Sequence, residues 1–354
     1  MQVRNVRSRS FRPALKTEVF IPSLLVLTVL VTMFVVMGEA STPSHIQYST
    51  VLGYFLQDDP KTNDSSFDYT LVNFGLIDRS YTSDGHDADL NLTQWQRFEH
   101  EVDRLNREAE RNVHYKLLYM GRHGEGLHNV AEAFYGTPAW NCYWSRQDGN
   151  GTVVWADAHL TELGVAQAEI ASRFWAKEIA EQHIPTAQTY YTSPLTRCTD
   201  TANITFSGLK LPGRHPFVPT VKELLREAIG IHTCDRRSTK TYIHNRHPTY
   251  DFEYGFTEDD ELWRADVRET DPALDTRMRE LLDDVFSHDD STFISFTSHS
   301  GAIGGILRVI GHRTFNLATG SVIPALVKAE TVSGSAPLGN FTWAPQPTCG
   351  PNGP

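Results

Sequence analysis

Two histidines, three arginines and two acids stand where apolar runs of the sequence give way to polar residues. Gly121-Arg122-His123-Gly124-Glu125-Gly126 directly follows the run Tyr115–Met120. Ser193-Pro194-Leu195-Thr196-Arg197 follows the short run Thr189–Thr192, Arg226-Glu227 follow Leu224-Leu225, and Ser298-His299-Ser300-Gly301 follow Phe293–Thr297. These residue types suit phosphoryl transfer. A neutral imidazole attacks phosphorus to give a phosphohistidine that water can hydrolyse. Guanidinium forks and a second imidazole stabilise the charge that spreads over the phosphoryl oxygens. Glycines beside the nucleophile let backbone N–H groups approach a phosphate, and a carboxylic acid must protonate the leaving alkoxide.

The elements that must hold these groups are legible in outline. Tyr115–Met120, Thr189–Thr192, Thr220–Leu225, Phe293–Thr297 and Ser321–Lys328 read as strands. Between them, 161–181, 195–206, 273–286 and 302–309 read as helices, the first with Leu163, Ala166, Ile170 and Phe174 on one side. Residues 93–110 form an amphipathic helix whose stripe Trp95, Phe98, Val102 and Leu105 faces the core. Strands alternating with helices predict an α/β fold, a mostly parallel sheet covered on both faces. Sites in such sheets gather where strands end and helices begin, which is where all four polar groups stand.

Taken singly, each group has an ordinary explanation: a histidine capping a strand, or arginines and acids in surface ion pairs. In this order they are specific. The run Leu118-Tyr119-Met120-Gly121-Arg122-His123-Gly124-Glu125 resembles the signature of the histidine phosphatase (phosphoglycerate mutase-like) superfamily. Ser193-x-Leu195-x-Arg197 with Thr201-Ala202, then Glu227, then Ser298-His299-Ser300-Gly301 complete the likeness over roughly residues 110–330. The stretches Arg122–Glu132 and Leu225–Ser238 are similar to a fungal and plant subgroup of phosphoglycerate mutase-like phosphatases. The resemblance implies a three-layer α/β/α sandwich. It makes His123 the nucleophile, places the phosphate among Arg122, Arg197 and His299, and makes Glu227 the proton donor. It gives Asn129 a phosphate contact. Glu125 orients the pocket, and His128 reads either as a substrate contact or as a packing residue, with packing the first choice. No metal or other cofactor is called for, because arginines supply the positive charge.

Departures from the family pattern narrow the reading. Acid phosphatases and phytases of the superfamily extend the first motif as RHGxRxP and follow the second histidine with Asp; here Glu125-Gly126-Leu127 and Ser300 stand instead. Glycolytic mutases resemble RHGESxWN, where this chain has Gly126, Leu127 and His128. The expected function is therefore hydrolysis of a small phosphomonoester. A phosphomutase and a non-catalytic phospho-ligand binder of the same fold are the alternatives. Specificity is expected in an insertion, 232–272. Its first part carries Arg236, Arg237, Lys240, His244, Arg246 and His247, and its second Asp251, Glu253 and Glu258-Asp259-Asp260-Glu261. Arg236 and Arg237 would read further anionic groups on the substrate, unless the two parts pair with each other. His244-x-x-His247 has no companion ligand pattern for zinc.

The whole chain, 354 residues with a net charge of −11, excludes a general nucleic-acid coat. Residues 1–40 differ from the rest: five cations precede 20 uncharged residues between Glu18 and Glu39. As a helix the run spans about 30 Å, one bilayer core, so 19–38 reads as a single-pass anchor. Gly38-Glu39-Ala40 equally fits a signal-peptide cleavage site. Either places the body in the secretory pathway, anchored or secreted, and five N-x-S/T sequons (Asn63, Asn91, Asn150, Asn203, Asn340) agree. Cys142, Cys198, Cys234 and Cys349 allow two disulfides in any of three connectivities, or four buried thiols. The expected organisation is a leader at 1–40, an irregular extension at 41–110 ending in the amphipathic helix, a phosphatase domain at 111–330, and a Pro/Gly-rich loop tail at 331–354.

Overall fold

In the computed structural model, which describes residues 42–85, 91–345, 347–351 and 353, the described part begins with β1 (Ser44–Thr50) and α1 (Gln94–Glu108). There follow β2 (Val113–Arg122), α2 (Leu127–Tyr135), α3 (Thr137–Cys142), α4 (Glu162–Lys177), β3 (Thr189–Thr192) and α5 (Thr196–Phe206). Next come β4 (Thr220–Val221), α6 (Lys240–Arg246), β5 (Asp251–Phe252), β6 (Val267–Glu269), α7 (Asp271–His288), β7 (Phe293–Ser298), α8 (Ser300–Val309), β8 (Val322–Ser333) and β9 (Trp343–Pro345). The leader at 1–40, with its run at 19–38, lies outside the described residues. Among the described residues no helix is long and apolar enough to cross a membrane.

Among the described residues seven strands form one sheet in the order β1-β8-β2-β7-β3-β4-β5. β2, β7, β3, β4 and β5 pair in parallel, and β8 is antiparallel to both β1 and β2. The period-2 alternation of strand side chains divides β2 between two cores. Leu118 and Met120 pack with Ile294, Phe296 and residues of α7 and α8 on one face. Leu117 and Tyr119 pack with Phe293, Trp95, Phe98 and Trp175 on the other. The result is the expected α/β/α sandwich. Each of these buried side chains contributes roughly 2 kcal/mol.

Register places the chemistry. Arg122 pairs with Ser298 across β2 and β7, so His123 and His299, the next residues, leave the sheet side by side. Thr192 pairs with Thr297 and Val221, which brings Ser193 and the turn after β4 to the same edge.

Several expected elements differ. The extension is not all irregular: Ser44–Thr50 adds the edge strand β1, and Tyr54, Phe55, Tyr69, Phe74 and Tyr81 enter the α1–α4 core. The strand expected over Thr220–Leu225 stops at Val221 and becomes a 3-10 turn over Glu223–Leu225. In α4 the expected stripe is turned outward at Leu163 and Ile170, while Gly164, Ala168, Ala171, Phe174 and Trp175 are buried. The tail is not a free loop. β8 runs on to Ser333, β9 pairs antiparallel with β6, and Cys349 is bonded to Cys142. Cys198 and Cys234 stay as buried thiols.

Candidate active site

His123 emerges from β2 with its backbone held on both sides: its N–H donates to the Ser298 carbonyl at 3.0 Å, and its carbonyl accepts from Gly320 N–H at 2.9 Å. The ring is 2% exposed. Nδ1 lies 2.7 Å from the Gly124 carbonyl, which can only accept, so Nδ1 carries the proton and Nε2 keeps its lone pair. Burial, and then the charges of Arg197 and Arg122, push His123 well below the ordinary imidazole value. It is a neutral imidazole at neutral pH. The ring centroid of His299 is 5.1 Å away and that of His128 5.5 Å. The same causes, burial first, hold both of these rings neutral. His299 Nε2 shares a hydrogen bond with Ser193 Oγ at 2.8 Å.

Gly124 has a different reason from the expected one. Its N–H donates to Thr201 Oγ1 at 3.1 Å. A Cβ on Gly124 would lie 2.2 Å from the Gly164 carbonyl oxygen, so glycine is required for the loop to cross the first turn of α4.

Two guanidiniums flank the imidazoles. Arg197, fully buried at the start of α5, donates from Nη1 to the Cys234 carbonyl at 2.6 Å and from Nη2 to Asp235 Oδ1 at 2.8 Å. Arg122 donates from Nη1 to the Leu317 carbonyl at 2.6 Å. Burial lowers the Arg122 pKa, and Glu227 opposes that shift. Three buried nitrogens here, Arg122 Nε, Arg197 Nε and His128 Nδ1, have no hydrogen-bond partner among the described residues. The two guanidinium Nε–H groups are buried donors, which suit an oxyanion ligand.

Glu227 is half-buried beside Arg122. Its Oε1 accepts from Ala228 N–H at 2.9 Å and its Oε2 from Gly301 N–H at 3.0 Å, at the start of α8. Arg122, Ser300, Gly301 and Asn316 line a cleft of about 340 Å³. Glu125 ties the loop to α4, donating its N–H to Gln167 Oε1 and accepting from Thr161 Oγ1, both at 2.7 Å. Asn129 Oδ1 accepts from Gly126 N–H at 3.0 Å and so steadies the first turn of α2.

With this geometry in view, the relatives are informative. The profile of the histidine phosphatase superfamily (branch 1) matches residues 118–320, more than half of the chain. The chain belongs to this superfamily. A "probable phosphoglycerate mutase" of Arthroderma benhamiae is 55% identical over 87% of this chain and 92% of its own length. "Phosphomutase-like protein 3" of Candida albicans is 38% identical over 91% of this chain and 94% of its own. A solved structure described as mycobacterial hydrolase 1 is 18% identical, covers 64% of this chain and 100% of its own, and has a TM-score of 0.36.

Within this superfamily fold, the structure brings His123, Arg122, Arg197, His299 and Glu227 to one sheet edge, and it corrects the insertion. The Arg237 side chain is fully buried. Its Nε donates to Glu223 at 2.8 Å, and Nη1 and Nη2 take the Ser238, Thr257, Glu258 and Asp259 carbonyls. No part of that fork is left for a substrate. Arg236 pairs with Asp148 at 2.8 Å and lies over the Trp263 ring. Arg246 and His247 both reach Asp200 on α5. Arg236, Arg237, Arg246 and His247 thus clamp the insertion onto the domain through acids outside it.

Sequence reasoning missed two partners. Asp235 is a buried carboxylate between Arg197 and Arg268. Burial alone would raise its pKa, but Arg268 and Arg197 hold it below the ordinary carboxylate value. Its only signal was its place in Leu225–Ser238, the stretch that carries the subgroup resemblance, where it was given no role. His128 was read as packing, yet it stands against the nucleophile. Its signal was its position five residues on, at the start of a helix beginning beside His123. His232, Cys234 and Asp235 bring ligand-type atoms within 4.8 Å of one another. A cation there would face the guanidiniums of Arg197 and Arg268 on the same carboxylate, so the group does not fit a metal.

Proposed function

We propose that the protein hydrolyses a small phosphomonoester through a phosphohistidine on His123. The observation that carries this reading is the state of His123: neutral, with its proton on Nδ1, between two guanidiniums. Nε2 forms the bond to phosphorus while the bond from phosphorus to the leaving oxygen breaks, and Glu227 gives that oxygen a proton. Water then attacks the phosphohistidine and gives its own proton back to Glu227. Inorganic phosphate leaves, and His123 is again neutral. Arg122 and Arg197 face the charge that develops on the equatorial oxygens. An arriving phosphate dianion favours the protonated forms of His128 and His299, which then become additional donors.

Phosphate release from an aryl phosphate by the full chain and by His123→Ala tests this. The substitution is expected to lower release about 10³-fold or more and to abolish acid-labile labelling by radioactive substrate. Equal release by both proteins would remove His123 from the reaction. The names of the fungal relatives favour a second reading, a phosphomutase. It shares the first half-reaction and differs in the acceptor, so phosphate appearing on an added hydroxyl compound rather than free in solution identifies it. No turnover by either protein points to a phospho-ligand binder.

We also propose that the body resides in an oxidising compartment of the secretory pathway. The Cys142–Cys349 disulfide supports this, with the apolar leader and the sequons. A glycosidase-sensitive mass shift of the native protein is the expected result, and unmodified protein with reduced cysteines would overturn it.

A further inference from the structure

Arg277, on α7, turns both terminal nitrogens of its guanidinium toward the backbone that carries Glu227. Nη1 donates to the carbonyls of Leu224 and Arg226 at 2.5 and 3.0 Å, and Nη2 donates to the carbonyl of Glu227 at 3.0 Å. Nε and Nη2 also grip the Glu269 carboxylate at 2.8 and 2.6 Å. The remaining carbonyl of the turn, that of Leu225, accepts from Ser298 Oγ at 2.9 Å. Four successive carbonyls are therefore anchored from α7 and from the end of β7. Both Arg277 and Glu269 are buried. Glu269 is itself fixed: its Oε2 accepts from Ile229 N–H at 3.1 Å, and it ends β6, which pairs with the tail strand β9.

The physical need is plain. The turn after β4 is irregular, so its carbonyls have no ladder partners, and buried carbonyls without partners are costly. A guanidinium offers five donors in a rigid fork and meets several of them at once; an ammonium cannot reproduce that geometry. The consequence falls on Glu227. Its backbone is pinned by Arg277 on α7 while its carboxylate meets the Gly301 amide on α8, so the carboxyl is held from two independent elements. Proton transfer to a leaving oxygen is sensitive to misplacement on the ångström scale.

We propose that Arg277, braced by Glu269, is a positioning residue for proton donation by Glu227, a role that rests on the hydrolase reading above. The test compares two leaving groups in the full-length protein. kcat/KM reports events up to loss of the leaving group. It is measured for Arg277→Lys, Glu269→Gln and Glu227→Gln on an alkyl phosphate, whose alkoxide needs a proton, and on p-nitrophenyl phosphate, whose phenolate does not. Arg277→Lys and Glu269→Gln are each expected to lose about tenfold more on the alkyl substrate than on the aryl one, and Glu227→Gln more still. Equal losses on both substrates in the Arg277 and Glu269 variants, with a selective loss in Glu227→Gln, would leave Arg277 a purely structural role and overturn the proposal. Equal losses in Glu227→Gln itself would instead strike at the donor assignment, and the proposal would fall with it. If Arg277→Lys does not fold by circular dichroism, Glu269→Gln supplies the same comparison with Arg277 still in place.

Discussion

Nη2 of Arg197 lies 2.8 Å from Oδ1 of Asp235, with both side chains out of solvent. The two residues are 38 positions apart, and the second oxygen of Asp235 is shared with Arg268 at 3.2 Å. The arginine expected to bind phosphate is thus held by a carboxylate that also lies between two guanidiniums.

Asp235→Asn is expected to destabilise the protein by about 3 kcal/mol, because removing one partner leaves buried charges uncompensated. Urea unfolding followed by circular dichroism measures it. A change below about 0.5 kcal/mol would show that the pair carries no such burden.

Gly301 touches the proton donor. A Cβ there would lie 1.9 Å from Glu227 Oε1, the end of a flexible side chain, so the carboxylate gives way before the helix does. Gly301→Ala is expected to keep its melting temperature within a few degrees and to lower kcat by about tenfold or more. Inhibition by inorganic phosphate, measured alongside, should hold steady, since Arg122 and Arg197 are untouched.

Acid should destabilise the folded state before it protonates carboxylates. The folded pKa values of His123, His128 and His299 lie well below the unfolded value, and burial followed by Arg268 pushes His232 down to about 4. Below about pH 6.5 the unfolded chain therefore binds more protons than the folded one. Stability is full above that pH and is lost as the pH falls, by up to about 1.4 kcal/mol per unit for each imidazole. Melting temperatures between pH 7.5 and 5 check this, and His128→Asn should flatten the slope. A wild-type slope of the opposite sign would mean that these rings are protonated in the fold.

Non-reducing peptide mapping should recover one linked pair, Cys142 with Cys349. Cys198 and Cys234, both buried, should react with an alkylating reagent only after unfolding. A Cys198–Cys234 link in the native protein would contradict the arrangement.

Local chemistry was legible where one segment carries its own signal. The stripe Trp95, Phe98 and Val102 was expected to face inward and is fully buried. Thr93, with Gln96 three residues on, closes that helix with reciprocal hydrogen bonds at 3.2 and 3.0 Å. The strand ends at Met120 and Thr297 were within two residues of those observed. In α4 the same reasoning selected the large residues Leu163 and Ile170. Phe174 of that stripe is buried as expected, but toward the N-terminus of α4 the buried residues are the small Gly164, Ala168 and Ala171, because close approach to the loop at Gly124 and to α5 decides which side turns inward. β1 was illegible for a related reason. Ser44–Thr50 is a polar run that becomes a strand because β8 offers it an edge.

The sequence by itself determined which chemical groups stand at the strand ends and in what order. Those are properties of short segments: an apolar run, then His123 or His299 with a glycine within two residues of it. Only the tertiary structure decided which carboxylate restrains Arg197, that Arg237 is fully engaged within the fold, that Cys142 meets Cys349, and that Arg277 reaches back 50 residues to the turn of Glu227. The reason is physical. A buried guanidinium or carbonyl must find a partner, and in a sheet with long crossovers that partner is whichever side chain the packing brings near. Distance along the chain does not choose it.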